Sequence, residues 1–234
     1  MLNIILLECA LELVPSEISS LKQIQKHATR RGKKSTELLL DQTHHGQSMT
    51  KLTDSERRGR PDITFLSLMS ILETPLCKEG LLGVYLHLQD GSIVEVRSDV
   101  RLPRNYDRFV GLMEQLLLSG RVPPNGESLL QIIKKPLDDL MADLKAEQTI
   151  LATEKGEMTT INGLSNLMPT DPSKAVIVGV GAFPHGDFSE STTSLFDIKL
   201  EFDREVMMAW HVCSEVVWIY SQNIGIIEKR YMTA

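Results

Sequence analysis

The chain has 234 residues, 42% apolar and 24% charged, with a formal net charge of −6. That length and balance suit one large domain, residues 1–234, with a buried core. No apolar run approaches the ~20 residues that a membrane span needs. The opening run 1–9 lacks a basic leader and contains Asn3 and Glu8, so it reads as a first strand rather than a secretion signal. Cys9, Cys77 and Cys213 are far apart in apolar sequence, which predicts buried thiols rather than a disulfide framework, and no metal-ligand spacing appears.

Charge is unevenly spread. Residues 22–60 hold ten Lys/Arg against four Asp/Glu, whereas residues 137–205 hold thirteen acidic residues against five basic ones. Such asymmetry points either to an anionic partner on one face or to an unevenly charged solvated surface.

In chain order, residues 1–7 predict a buried strand. Pro15 and Ser16 open a helix with Ile18, Leu21 and Ile24 on one stripe, ended by Gly32. A short strand is expected at 38–40, then an open stretch with His44 and His45. Adjacent residues on extended chain point to opposite sides, and no third ligand is near, so a metal site is disfavoured there. Pro61 starts a helix with Asp62 in its first turn, where a carboxylate suits the helix dipole, and Pro75 ends it. Apolar runs at 81–88 and 92–97 flank Asp90-Gly91, a β-hairpin signal that places a hairpin near 81–98.

Pro103 opens the next helix, which runs to about Leu118 and is capped by Gly120. Arg104 and Arg108, four apart, would share a face with Arg101 at its mouth. That arrangement is either a phosphate clamp or a surface helix paired through Asp99 and Asp107. Further helices are expected at 136–144, 161–168 and 202–220, with strands at 149–153 and 175–180. Strands alternating with helices predict an α/β domain with a largely parallel sheet.

Strand 175–180 enters a turn containing Gly179, Gly181, Pro184 and Gly186. A glycine turn after a buried strand lets a ligand approach backbone N–H groups. The spacing is not that of a dinucleotide fingerprint, and a plain strand-to-helix connection is the alternative.

Four motifs then occur in order: Arg58-Gly59-Arg60-Pro61-Asp62-Ile63-Thr64; Arg101-Leu102-Pro103-Arg104 with Asp107-Arg108-Phe109; Gly111-Leu112-Met113; and Gly181-Ala182-Phe183-Pro184-His185-Gly186. Through them the chain resembles the ribosome-biogenesis pseudouridine N1-methyltransferases of archaea and eukaryotes, a branch of the knotted SPOUT methyltransferases. The resemblance covers most of the chain and is weaker before Arg57. It implies a SPOUT-type α/β fold with a C-terminal trefoil knot, which no pattern argument would propose unaided. It implies a homodimer that binds S-adenosyl-L-methionine in the knot and small-subunit ribosomal RNA across the dimer. The place of such an enzyme is cytoplasmic in an archaeal cell and nucleolar in a eukaryotic one.

Carried over residue by residue, Gly181 and Gly186 line the cofactor pocket, with Thr153 at the end of the preceding strand as a looser candidate. Leu195, Phe196, Asp197, Ile198, Lys199 and Leu200 supply backbone contacts to the adenine and methionine parts. Arg60 touches the substrate, Asp62 holds its guanidinium, and Arg101, Arg104 and Arg108 take the RNA backbone or the flipped base. Two departures stand out: relatives usually carry His where this chain has Phe65, and their cofactor loop often reads S-N-Y-P-L-S.

The chemistry implied is methylation of a nitrogen that only pseudouridine exposes. Its base is joined to ribose through carbon, so N1 keeps a proton that uridine lacks. The protein must align N1, methyl and sulfur and assist proton loss, with Arg60 beside the uracil oxygens. Two other readings use the same residues differently. One is a non-catalytic RNA-binding ribosome-assembly factor, and the other is a small-molecule enzyme with a phosphate-binding turn.

Overall fold

The computed structural model describes residues 1–232, so the last two positions of the expected 1–234 domain lie outside the described residues. Eight strands form one sheet: β1 (Leu2–Cys9), β2 (Leu82–Leu88), β3 (Ile93–Val96), β4 (Arg121–Val122), β5 (Leu130–Ile133), β6 (Gln148–Met158), β7 (Val176–Gly181) and β8 (Ile198–Glu201). The helices are α1 (Ser16–Ser19), α2 (Lys22–Arg31), α3 (Gln42–Met49), α4 (Pro61–Ile71), α5 (Pro75–Lys78), α6 (Tyr106–Ser119), α7 (Leu137–Leu144), α8 (Ile161–Leu167), α9 (Glu190–Thr193), α10 (Ala209–Asn223) and α11 (Ile226–Met232).

The strand order is β4-β5-β3-β2-β1-β7-β6-β8. The five strands from β2 to β8 are mutually parallel, as the alternation of strands and helices predicts. The hairpin β2–β3 turns the sheet antiparallel, and β5 and β4 extend that half. The sheet is therefore mixed.

β1 lies at its centre with every residue buried, because helices cover both faces. Period-two alternation sorts the side chains. Leu2, Ile4 and Leu6 of β1 join Val176, Val178 and Val180 of β7 on the face covered by α4, α6, α8 and α10. Ile5, Leu7, Leu151 and Ile177 point to the other face, against Leu137, Leu140 and Met141 of α7. A satellite cluster of Ile18, Ile24, Leu38, Met49 and neighbours holds α1–α3 together.

Five local expectations change. The helix from Pro15 to Gly32 is broken at Leu21, and the Gln25 amide donates to the Ser19 carbonyl that the break frees, at 2.7 Å. Residues 38–40 form only an isolated bridge, Leu13 to Leu39. The stretch after it is helical, because the Asp41 side chain accepts the Thr43 N–H at 2.8 Å and caps α3. α6 begins at Tyr106, not Pro103, because Asn105 supplies the cap. The last long helix begins at Ala209, and residues 202–208 run as irregular chain before it.

Candidate functional site

The middle of β6 and the carboxyl end of β7 open onto a cavity of about 870 Å³. Ligands of open α/β sheets bind in such crevices. Its floor is Ala152, Val180 and Gly181, one wall is the turn 183–188, and the other is the chain from Glu201 to Met208 and the start of α10. β6 makes room by bulging: Ala152 and Glu157 both pair with Leu200, so residues 153–156 leave the ladder. Gly156 permits this, since a Cβ there would lie 2.5–2.6 Å from the Leu200 backbone. Gly181, Gly186 and Thr153 all line the cavity.

Residues 195–200 do not line it. Phe196 is buried on the opposite side of the sheet, against Gly179, where a Cβ would meet its ring at 2.6 Å. Asp197 exchanges hydrogen bonds with Thr149, the carboxylate accepting from the hydroxyl and the backbone N–H donating to it, each at 2.9 Å. Ile198, Lys199 and Leu200 are committed to β8. Residues 195–200, expected at the cofactor, thus stand apart from this cavity, and the C-terminal segment that lines it begins at Glu201.

The acidic balance of residues 137–205 concentrates here, with Glu154, Asp187, Glu201, Asp203 and Glu205 around the cavity against Lys155 and Arg60. Lys155 forms an ion pair with Asp187. Apolar side chains Phe202, Met207, Met208 and Trp210 line the side nearest α10.

Arg60 borders this cavity and also a second one of about 440 Å³, lined by Gln42, Thr43, Arg60, Asp62 and Tyr106. The Asp62 carboxylate accepts from both Nε and Nη2 of Arg60 at 2.8 Å, which raises the guanidinium's affinity for its proton. The Tyr106 hydroxyl donates to the other Asp41 oxygen at 2.7 Å. Burial and that carboxylate push the phenol well above its usual range. Gln42, Thr43, Tyr106 and Asp41 escaped the sequence reading, although Asp41 ahead of a polar run is an N-cap signal.

Behind this cavity, His45 is fully buried. Its Nδ1 accepts the Asp41 N–H at 3.1 Å, so Nε2 carries the proton and donates to His27 Nδ1 at 2.7 Å. Burial, then the neighbouring His27 and His44, lower the His45 pKa to about 4. The two adjacent histidines thus sit on a helix rather than on extended chain. Phe65 packs into an aromatic group with Tyr106 and Phe109, at centroid distances of 5.6 and 4.9 Å.

Arg101, Arg104 and Arg108 are exposed near the α6 N-terminus. Only Arg108 is in the helix, so Arg104 and Arg108 do not share a helical face. Arg104 reaches Glu73 at 3.4 Å with its side chain 80% exposed, while Arg101 and Arg108 make no ion pair among the described residues. The basic excess of 22–60 is partly spent internally. Arg31 and Lys33 pair with the buried Glu114, Arg57 with Glu8, Arg58 with Glu12 and Arg60 with Asp62.

Among the described residues no group of three or more His, Cys, Asp or Glu is placed to hold a metal ion, and no helix is long and apolar enough to cross a membrane. The family model for EMG1/NEP1 methyltransferase matches residues 4–220. The chain is 42% identical over 217 residues to the ribosomal RNA small subunit methyltransferase Nep1 of Staphylothermus marinus, covering 92% of this chain and 93% of that one. It is 39% identical over 226 residues to the protein of the same name from Thermococcus kodakarensis, at 97% and 100% coverage. Among solved structures it matches Archaeoglobus fulgidus Nep1 bound to S-adenosylhomocysteine, with a TM-score of 0.85, 34% identity and coverage of 95% and 98%. The chain belongs to the EMG1/NEP1 methyltransferase family.

Proposed function

We propose that this chain transfers a methyl group from S-adenosyl-L-methionine to N1 of a pseudouridine in small-subunit ribosomal RNA, as a step of ribosome biogenesis. The observation that carries the reading is the placement of Arg60 on the border of two cavities. The larger fits the cofactor in three respects. Its volume lies in the range of small-molecule sites. Gly181 and Gly186 bring backbone close to a ligand, and the acidic rim suits a cationic one. Apolar Phe202, Met207 and Met208 offer a surface for an adenine ring.

The cofactor supplies an electrophilic sulfonium methyl. The chain's own residues do the rest. Arg60, oriented by Asp62, faces the point where the base would meet the cofactor and stabilises charge that develops on the uracil oxygens as N1 loses its proton. Exposed Arg101, Arg104 and Arg108 grip flanking phosphates and hold the base out of its stack.

The same reading includes a single methyltransferase domain, a C-terminal knot and a homodimer. Support for the knot is the path from β7 through 182–197 to β8 on the far side of β6. Support for the dimer is Trp218 of α10, a large apolar side chain that is 50% exposed and lines neither cavity. A cytoplasmic location follows from a ribosomal substrate in cells like those of its archaeal relatives. The assembly-factor alternative leans on two departures, Phe65 and residues 195–200: Phe65 packs against Tyr106 and Phe109, and residues 195–200 do not line the large cavity.

The test is calorimetric titration with S-adenosyl-L-methionine, then mass analysis of a pseudouridine-containing rRNA hairpin beside its uridine counterpart. Binding with methylation of the pseudouridine hairpin alone is the expected result. Tight RNA binding with no cofactor binding overturns it in favour of the assembly factor.

A further inference from the structure

The turn that walls the large cavity is gripped from outside by Arg57. Its Nη1 donates to the Asp187 carbonyl at 2.5 Å, and the guanidinium carbon lies 4.1 Å from the Phe183 ring centroid. Its Nη2 donates to the Glu8 carboxylate at 2.6 Å. The other Glu8 oxygen accepts the N–H and hydroxyl of Ser189 at 2.9 and 2.7 Å. One buried carboxylate therefore ties Arg57 to the far end of the same turn.

Glu8 is 7% exposed and adopts a φ of +50°, where the β1–β2 register slips. A non-glycine residue rarely holds that conformation unless its surroundings enforce it. Gly186 complements the grip: its φ is +88°, and a Cβ there would lie 2.7 Å from Arg57 Nη1.

Arg57 stands three residues before Arg60, and the link between them is fixed. The Gln89 amide donates to the Arg57 carbonyl at 2.7 Å. Arg58 donates twice to Glu12, at 2.7 and 2.6 Å, and the Arg60 N–H donates to the Ala10 carbonyl at 3.2 Å. Segment 57–60 is thus a bracket with the cavity turn at one end and Arg60 at the other. Neither Arg57 nor Glu8 lines the cavities themselves.

We propose that Arg57, held by Glu8, is a positioning residue that couples cofactor binding to RNA binding by fixing the 183–189 turn and the Arg60 segment as one unit. The inference rests on the methyltransferase reading above. Linkage makes the coupling reciprocal: cofactor that fixes the turn raises RNA affinity by the factor with which RNA raises cofactor affinity.

The experiment is calorimetric titration of S-adenosylhomocysteine, with and without a saturating pseudouridine hairpin, on wild type, Arg57→Gln and Glu8→Gln. The readout is the ratio of the two Kd values, because a merely structural loss weakens both titrations and leaves their ratio alone. Wild type is expected to show a ratio of roughly fivefold or more. Arg57→Gln is expected to bring it near one while the RNA-free Kd rises about tenfold, and Glu8→Gln to fall between. Should Arg57→Gln fail to fold, Phe183→Leu takes its place with a reduced ratio expected; it removes the ring beneath the guanidinium, and because that ring also lines the cavity the ratio and not the RNA-free Kd is read. A wild-type ratio in every folded variant overturns the coupling. A wild type that binds both ligands with a ratio of one overturns the coupling and leaves the methyltransferase reading standing. A wild type that binds neither ligand overturns that reading, and the coupling with it.

Discussion

Asp62 takes one edge of the Arg60 guanidinium with both oxygens, accepting from Nε and Nη2 at 2.8 Å each, from a position two residues further along the chain. Pro61 between them starts α4, so the helix N-terminus sets where the carboxylate stands. A fork held on one side leaves Nη1 without a side-chain partner among the described residues, at the border of the two cavities.

Replacing Asp62 with Asn keeps the shape and removes the charge. We expect kcat/KM for RNA methylation to fall about 10–100-fold, the loss of roughly 1.5–3 kcal/mol typical of a charged hydrogen bond. Both side chains are about a third exposed, so stability should change by no more than ~1 kcal/mol. Steady-state kinetics and a urea melt check both halves.

Arg101, Arg104 and Arg108 are solvated, and none is held by a strong ion pair. If they meet phosphates, each replacement by Ala should lower the slope of log K against log salt for the RNA hairpin by about 0.7–0.9. Binding titrations at several salt concentrations measure that slope. Three variants with wild-type slopes would remove these arginines from the RNA surface.

Gly156 lies against the Leu200 backbone with no space for a methyl group. Gly156→Ala must part β6 from β8 or flatten the bulge over the cavity, so a stability loss near the upper end of about 1–3 kcal/mol is expected. S-adenosylhomocysteine affinity should fall with it. Gly126, whose φ is +83° with nothing near its Cβ, is the strained but uncrowded comparison.

His45 is neutral in the fold, with its pKa lowered from 6.5 to about 4 by burial and by the neighbouring histidines. The unfolded chain therefore binds the extra proton between those values. Stability is full above pH 6.5 and is lost as pH falls toward 4, by an amount on the order of 3 kcal/mol. His27, lowered mainly by burial, acts in the same direction. Denaturant melts from pH 4 to 7 should show the slope, and His45→Asn should flatten it.

All three cysteines are buried, and burial raises the thiols of Cys9 and Cys213 to about 12. Thiolate is the reactive form. Native protein at pH 8 should resist alkylation, and three thiols should react after denaturation. Rapid native labelling would show that the core opens around β1 and α10.

Much of this architecture is legible in local patterns. The apolar run at the start of the chain and that of Val176–Gly181 are the two central parallel strands, and Asp90-Gly91 is the turn of the hairpin. Gly32 and Gly120 cap their helices at φ values of +63° and +77°, a conformation that glycine adopts without penalty. Arg60-Pro61-Asp62 also reads directly, because a helix start and its ion pair lie within three residues. The misplaced elements failed where two local signals competed. Pro103 and Asn105 both mark a helix start, and the Asn105 side chain, which accepts the Arg108 N–H at 3.1 Å, decides it.

The sequence by itself determined four of the five parallel strands, β1, β2, β6 and β7, with the hairpin, the glycine helix caps and the arginine motif, since each is written within a few neighbouring residues. Only the tertiary structure decided which side chains of the C-terminal segment meet the cavity. Pairing of β8 with β6 buries Phe196 behind the sheet and brings Phe202 to the front. It also decided which charges stay free: Arg31 and Lys33 are neutralised by Glu114, about eighty residues away. Ion pairing and strand register depend on which distant segments the closed chain brings into contact, and no local propensity encodes that choice.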